Sequence, residues 1–131
     1  MSAHDKLRTP LKRAIGLGSA KDGTHHFVAQ RITAIALVFL SIYVIGLVIS
    51  LIGGDYAAFR TAVANPVHAV LLVAFLVATF WHAQLGMQVI IEDYVHTPWL
   101  AVTSQLLVIF VCVLAAIASV LAVIRIALGG A

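Results

Sequence analysis

Three long apolar stretches without a formal charge dominate the chain: Ile32 to Ile52, Val67 to Ile91 and Trp99 to Ile124. Crossing a hydrocarbon core of ~30 Å takes about 20 helical residues, and each stretch reaches that length. A backbone in lipid has no water to bond, so runs this long predict helices, which satisfy their N–H and C=O groups internally. The period-two alternation of half-buried strands is absent. Polar punctuation agrees. Gly53-Gly54 closes the first stretch, Asn65-Pro66 and Thr97-Pro98 each set a capping residue before a proline at the first helical position, and Gly129-Gly130 follows the third. The pattern predicts an all-α integral membrane protein with three transmembrane helices at about 27–53, 66–93 and 99–128. A polar N-terminal segment, 1–24, precedes one anchor domain, 25–131, in which Gly53 to Asn65 reads as a loop.

Composition narrows the function. Of 131 residues, 63% are hydrophobic and 10% charged, outside the range of soluble domains. A helical bundle this small cannot enclose a large aqueous active site, so no catalytic residue is expected in it. The single cysteine, Cys112, lies in an apolar run and supports neither a disulfide framework nor a cysteine-ligated metal. The net charge of +3 comes from basic residues gathered near the start, at Lys6, Arg8, Lys12, Arg13, Lys21 and Arg31. Beside a membrane segment that cluster sets topology rather than binding nucleic acid. It predicts a cytoplasmic N-terminus, Glu92 to Pro98 on the same side, and Gly53 to Asn65 and the C-terminus outside. The first apolar stretch exceeds the roughly 7 to 15 residues of a signal-peptide core, so that helix is expected to stay. With no Arg- and Ser-rich transit segment, a bacterial inner membrane is expected rather than a mitochondrial one.

His82 is the most informative residue. It lies about 10 residues, or roughly 15 Å of helix rise, from the end of the second stretch, deep in the hydrocarbon, where an ionisable group defaults to a functional role. Three readings are open: a neutral histidine bonded to a neighbouring helix, an axial ligand to a heme, or a proton relay. Ala78, Thr79 and Gly86, three and four positions away, share its face and are small. Such clearance suits a flat porphyrin edge, and also simple close packing of helices. His68 is 14 residues earlier, roughly 21 Å along the helix, too far to bind the same iron. The predicted first and third helices hold no histidine, so a second ligand would come from another chain.

At the end of the second helix, Asp93-Tyr94 offers a phenol that can donate to a quinone carbonyl and a carboxylate that exchanges protons with water. An interfacial aromatic with solvated helix-end acids reads the same way. His25, His26 and Arg31 gather at the predicted mouth of the first helix. There Arg31 is either a bidentate partner for a carboxylate such as a heme propionate or a snorkelling anchor.

Two segments resemble a known family. Gly23-Thr24-His25-His26-Phe27-Val28-Ala29-Gln30-Arg31-Ile32-Thr33-Ala34 is similar to the start of the anchor domain in the hydrophobic membrane anchor subunits of bacterial and mitochondrial succinate dehydrogenase. The run from His82 through Gly86 to Asp93-Tyr94-Val95-His96 resembles that family's second-helix motif, with glycine four residues after the histidine and Asp-Tyr 11 and 12 after it. Order and separation also match, and the resemblance spans roughly residues 17 to 128.

The resemblance implies half of a heterodimeric, heme-binding helical bundle within a succinate dehydrogenase of the electron-transport chain and tricarboxylic acid cycle. In it His82 is the axial ligand to the iron of a heme b shared with a partner cytochrome b subunit, with Thr79 and Gly86 beside it. It further implies that Arg31 and His25 lie near the heme edge and propionates, and that Tyr94 and Asp93 contact ubiquinone. A flavoprotein subunit would oxidise succinate and an iron–sulfur subunit would pass the electrons inward. No role follows for His26, which replaces an acidic residue of some relatives, nor for His68 or His96. The competing readings are a fumarate reductase anchor, or a heme-free small transporter or structural membrane protein.

Overall fold

The computed structural model describes residues 21–129. The polar segment before Lys21, with Lys6, Arg8, Lys12 and Arg13, and the part of the family resemblance that precedes Lys21 lie outside the described residues. Four helices follow in order: α1 (Lys21–Ser50), α2 (Tyr56–Ala64), α3 (Pro66–Tyr94) and α4 (Pro98–Ala127). Three of them, α1, α3 and α4, are long and apolar enough to cross a membrane. Among the described residues there is no strand.

The second and third spans keep close to their predicted bounds, but α1 is shifted toward the N-terminus. It runs through His25, His26, Gln30 and Arg31 and stops at Ser50, before the turn at Leu51 to Gly53. Hydropathy marks only the part of a helix that faces lipid. The backbone ladder itself needs no apolar side chain and continues into polar sequence. Gly53 takes φ +84°, the left-handed region in which glycine is at ease, and so reverses the chain there.

The segment after this turn is not wholly loop, as the pattern suggested. The nine residues of α2 are too few to show as a span, but Asp55 caps them, its carboxylate accepting from Ala58 N–H at 2.8 Å. Asn65 ends α2 and starts α3. Its own N–H donates to the Ala62 carbonyl, and its side-chain oxygen accepts from Val67 N–H at 2.9 Å, ahead of Pro66 in the first turn. Thr97 is a further correction. Its side chain makes no capping bond; only its carbonyl closes the first turn, accepting from Ala101 N–H at 2.9 Å, with Pro98 supplying the fixed φ.

The central element is α3. It packs against both α1 and α4, whose backbones do not come close to each other. The short α2 rests on α3 and α4. Among the described residues few side chains are buried: Val63, Ala69, Leu85 and Ile91 among the apolar ones, and Thr33 alone among the polar. Large residues such as Phe39 and Phe110 face outward. For membrane helices this costs little, because lipid tails solvate them as well as other side chains do.

Candidate functional site

Polar side chains concentrate on the α1–α3 seam, and their pairing follows from two antiparallel helices in one register. Thr33 of α1 meets His82 of α3, with its hydroxyl oxygen 2.9 Å from the imidazole Nδ1. One turn toward the N-terminal end of α1, Gln30 lies against Gly86; a Cβ built on that glycine would stand 3.8 Å from the Gln30 amide nitrogen. Toward the opposite end the rings of Tyr43 and His68 meet edge to face, with centroids 6.1 Å apart. His68 is further held by the Ala62 carbonyl at 2.9 Å from its Nδ1. A carbonyl only accepts, so that nitrogen carries a proton.

The contact between Thr33 and His82 fixes where the protons are. The hydroxyl has one hydrogen, and its oxygen lies 2.8 Å from the Ala29 carbonyl and 3.1 Å from that of Gln30. Both neighbours are pure acceptors, and the short contact to Ala29 is attractive only if the hydroxyl hydrogen points there. The oxygen then accepts, and His82 donates from Nδ1. In a neutral imidazole a proton on Nδ1 leaves the lone pair on Nε2. Among the described residues His82 has no other hydrogen bond.

The surroundings of His82 are only partly as the sequence suggested. Trp81, its chain neighbour, and His25, Val28, Ala29, Ile32 and Thr33 of α1 line an open cleft of about 180 Å³, so His25 and the Thr33 anchor of His82 share one wall. Thr79 turns its hydroxyl back to the Phe75 carbonyl at 2.7 Å and offers its neighbours only a methyl face. The space at Gly86 faces α1, and a methyl group would make ordinary contact there.

Arg31 is displaced from its expected place. With α1 starting at Lys21, it stands ten residues into the helix, ~15 Å from its start and only two residues from Thr33. It is exposed, and its guanidinium lies 5.1 Å from the centroid of the Phe27 ring. It does not line the cleft that His25 and Thr33 share. The expectation that the first helix holds no histidine also fails, since His25 and His26 are both in α1. The Nε2 of His26 and the side-chain oxygen of Gln30, one turn apart, are buried without hydrogen-bond partners among the described residues.

Asp93 and Tyr94 form a separate locus. Tyr94, 77% exposed, ends α3 about 18 Å of helix rise beyond His82, with Asp93 exposed beside it. The adjoining α3–α4 cleft is lined by Glu92, Ala101 and Gln105 rather than by these two, and Glu92 is engaged by Gln88 at 2.8 Å. His96, in the connection to α4, is exposed. Among the described residues no three His, Cys, Asp or Glu side chains gather to hold a metal.

Thr33, Gln30 and the Asp55 cap escaped the sequence reading. The one available signal for Thr33 was a hydroxyl two residues after Arg31 inside the first motif, and its partner depends on helix register, which no single helix reveals.

Comparison with known proteins agrees with this architecture. Residues 5–122 match the family described as succinate dehydrogenase/fumarate reductase transmembrane subunit. The chain is 34% identical to a protein of Rickettsia bellii named succinate dehydrogenase hydrophobic membrane anchor subunit, over 89% of this chain and 94% of that one. A protein of the same name from Rickettsia conorii is 32% identical over 88% of this chain and 93% of its own length. Another from Paracoccus denitrificans is 33% identical over 66% and 67%. With nearly the whole chain matched, its three apolar spans in place and Thr33 of the first motif meeting His82 of the second, the protein belongs to the succinate dehydrogenase/fumarate reductase transmembrane subunit family.

Proposed function

We propose that this membrane anchor contributes His82 as one axial ligand to a heme b, takes the second ligand from a partner cytochrome b subunit, and lines a quinone-reduction site with Tyr94 and Asp93. The observation that carries the reading is the state of His82: a half-buried imidazole in the interior of a membrane-length helix, held through Nδ1, with the Nε2 lone pair uncommitted. That is the donor a heme iron requires. A heme b held there supplies one-electron transfer within the membrane.

The other residues fit the same group. Arg31 is a permanent cation on an outward face close to the level of His82, where an unpaired charge is expensive. A guanidinium pairs with carboxylates through two parallel bonds, so propionates on that face would neutralise it. His25, on the wall that Thr33 shares, adds a donor at the heme edge. Gly86 and Thr79 are the small residues four after and three before His82 on α3. At the end of α3, Tyr94 donates its hydroxyl hydrogen to a quinone carbonyl and Asp93 exchanges protons with the adjoining water. An iron–sulfur subunit and a flavoprotein subunit supply the electrons from succinate, and ubiquinone takes them. The bacterial relatives support a bacterial inner membrane, and the basic N-terminal region supports a cytoplasmic N-terminus.

Two rivals fare less well. Fumarate reduction shares the family description, but the relatives named above all carry the dehydrogenase name. A transporter site is commonly built where helices break near the midplane. All three spans here are continuous over 27 to 30 residues.

The test is His82→Ala in the complex purified with its partner subunits. Loss of a first ligand is expected to cut heme content or affinity by at least roughly tenfold, the scale already reached by outer-shell changes. A dithionite-reduced minus oxidised spectrum with unchanged heme stoichiometry and band position would remove His82 from the site.

A further inference from the structure

Thr33 is the most buried polar residue among those described, 5% exposed, and it bonds both its own helix and the proposed ligand. Its hydroxyl hydrogen is committed to the Ala29 carbonyl, leaving its oxygen as an acceptor aimed at Nδ1 of His82. Back-bonding to the preceding turn also locks the rotamer, so the acceptor is fixed in space by α1. We infer that Thr33 is the positioning residue for His82: it selects the tautomer with the proton on Nδ1, sets the plane of the imidazole, and raises its donor strength at Nε2. The inference rests on the reading of His82 as an axial ligand.

Three physical consequences follow. Without the acceptor, neither tautomer is preferred by the seam, and the form with the proton on Nε2 cannot bind iron. The ring also gains freedom to rotate about its bond to Cβ. Finally, a proton on Nδ1 shared with an oxygen makes the imidazole more basic and favours ferric over ferrous iron. An alcohol oxygen accepts more weakly than a carboxylate, so the tuning is moderate, and its removal should shift the one-electron equilibrium toward ferrous heme. This role separates Thr33 from Thr79 on α3, whose hydroxyl also back-bonds but has no partner across the seam among the described residues.

The experiment compares Thr33→Val, which keeps the shape and loses the acceptor, with Thr33→Ser, which keeps the hydroxyl and loses only the methyl. Both are read in the whole complex by the midpoint potential of the heme and by the low-spin ferric electron paramagnetic resonance signal, which reports ligand-plane orientation. Thr33→Val should move the equilibrium about threefold to tenfold toward the ferrous form, a rise of up to about 59 mV, and shift or broaden the resonance; Thr33→Ser should return both to wild type. A Val variant with wild-type potential and resonance overturns the inference, as does a Ser variant shifted as far as Val. If the Val complex does not accumulate, Thr33→Ala in native membranes is read the same way with the same outcomes. A wild-type complex without heme, or heme indifferent to His82→Ala, fails the ligand reading itself. Heme that depends on His82 but ignores Thr33 fails this inference alone.

Discussion

The helices α3 and α4 invert what a soluble protein would teach. Of the three membrane-length helices α4 is the most apolar, yet it buries no residue against the rest of the chain. The helix whose apolar span is the least hydrophobic of the three, α3, touches every other helix and buries Ala69, Leu85 and Ile91. In water the most hydrophobic helix would be the core; in lipid hydrophobicity measures contact with acyl chains, and polar groups retreat to seams between helices. Hydroxyls on α4 follow the first half of this rule. Thr103 and Ser119 turn back to the Trp99 and Ala115 carbonyls, which hides them within their own helix. His82 follows the second half, by finding Thr33.

If chemistry belongs to α3 and solvation to α4, deleting one hydroxyl from each helix near the same end should give unequal results. Tyr94→Phe keeps the exposed ring at the end of α3 and removes the group proposed to donate to quinone. Quinone reduction is expected to fall roughly tenfold to hundredfold, about 1.4–2.8 kcal/mol of barrier, while succinate oxidation by a water-soluble dye persists. Thr103→Val, near the start of α4, should leave both activities within about twofold, because it removes only a bond internal to that helix. Equal losses in both assays for Tyr94→Phe would mean failed assembly and would move the quinone contact elsewhere.

What the sequence disclosed tracks the same physics. Lipid forces long apolar runs and costly polar exceptions, so the spans and His82 were readable from one strand of text, and the two motifs stood out against apolar filler. The pairing of Thr33 with His82 was not readable, because it is a property of two helices in register, and neither pattern alone contains it. The place of Arg31 along α1 was not readable for a related reason: the helix runs on past the end of the apolar signal and begins at Lys21, ten residues before it. The nine residues of α2 were missed because they are too few to repeat a helical period convincingly.

Packing offers a second contrast, smaller than the first. Leu85 of α3 is 7% exposed, whereas Leu121 of α4 is 53% exposed. Truncating a buried leucine in a soluble core costs about 2–5 kcal/mol, but part of that is transfer to water, which does not occur when unfolded helices remain in lipid. Leu85→Ala should therefore destabilise the complex by about 1–2 kcal/mol, through lost packing alone. Leu121→Ala should cost under about 0.5 kcal/mol if acyl chains cover that face. Thermal denaturation of the detergent-solubilised complex separates them. A Leu121 effect as large as that of Leu85 would show that another subunit, not lipid, sits on α4.

The smallest effects concern how the helices begin. Asp55 accepts from Ala58 N–H at the start of α2, so Asp55→Ala should weaken that helix by about 1 kcal/mol. Thr97 precedes α4 in the same sequence role but gives no side-chain cap, so Thr97→Ala should cost no more than a few tenths of a kcal/mol. Amide hydrogen exchange is the suitable probe, because it reads local opening without requiring the whole complex to unfold. Faster exchange in Tyr56 to Ala64 for the Asp55 variant, with the first turn of α4 unchanged for the Thr97 variant, is the expected pair. Equal acceleration at both sites would mean that α4 also relies on a side-chain cap. Its continuity from Pro98 would then owe less to the fixed φ of proline and to packing on α3 than the present geometry implies.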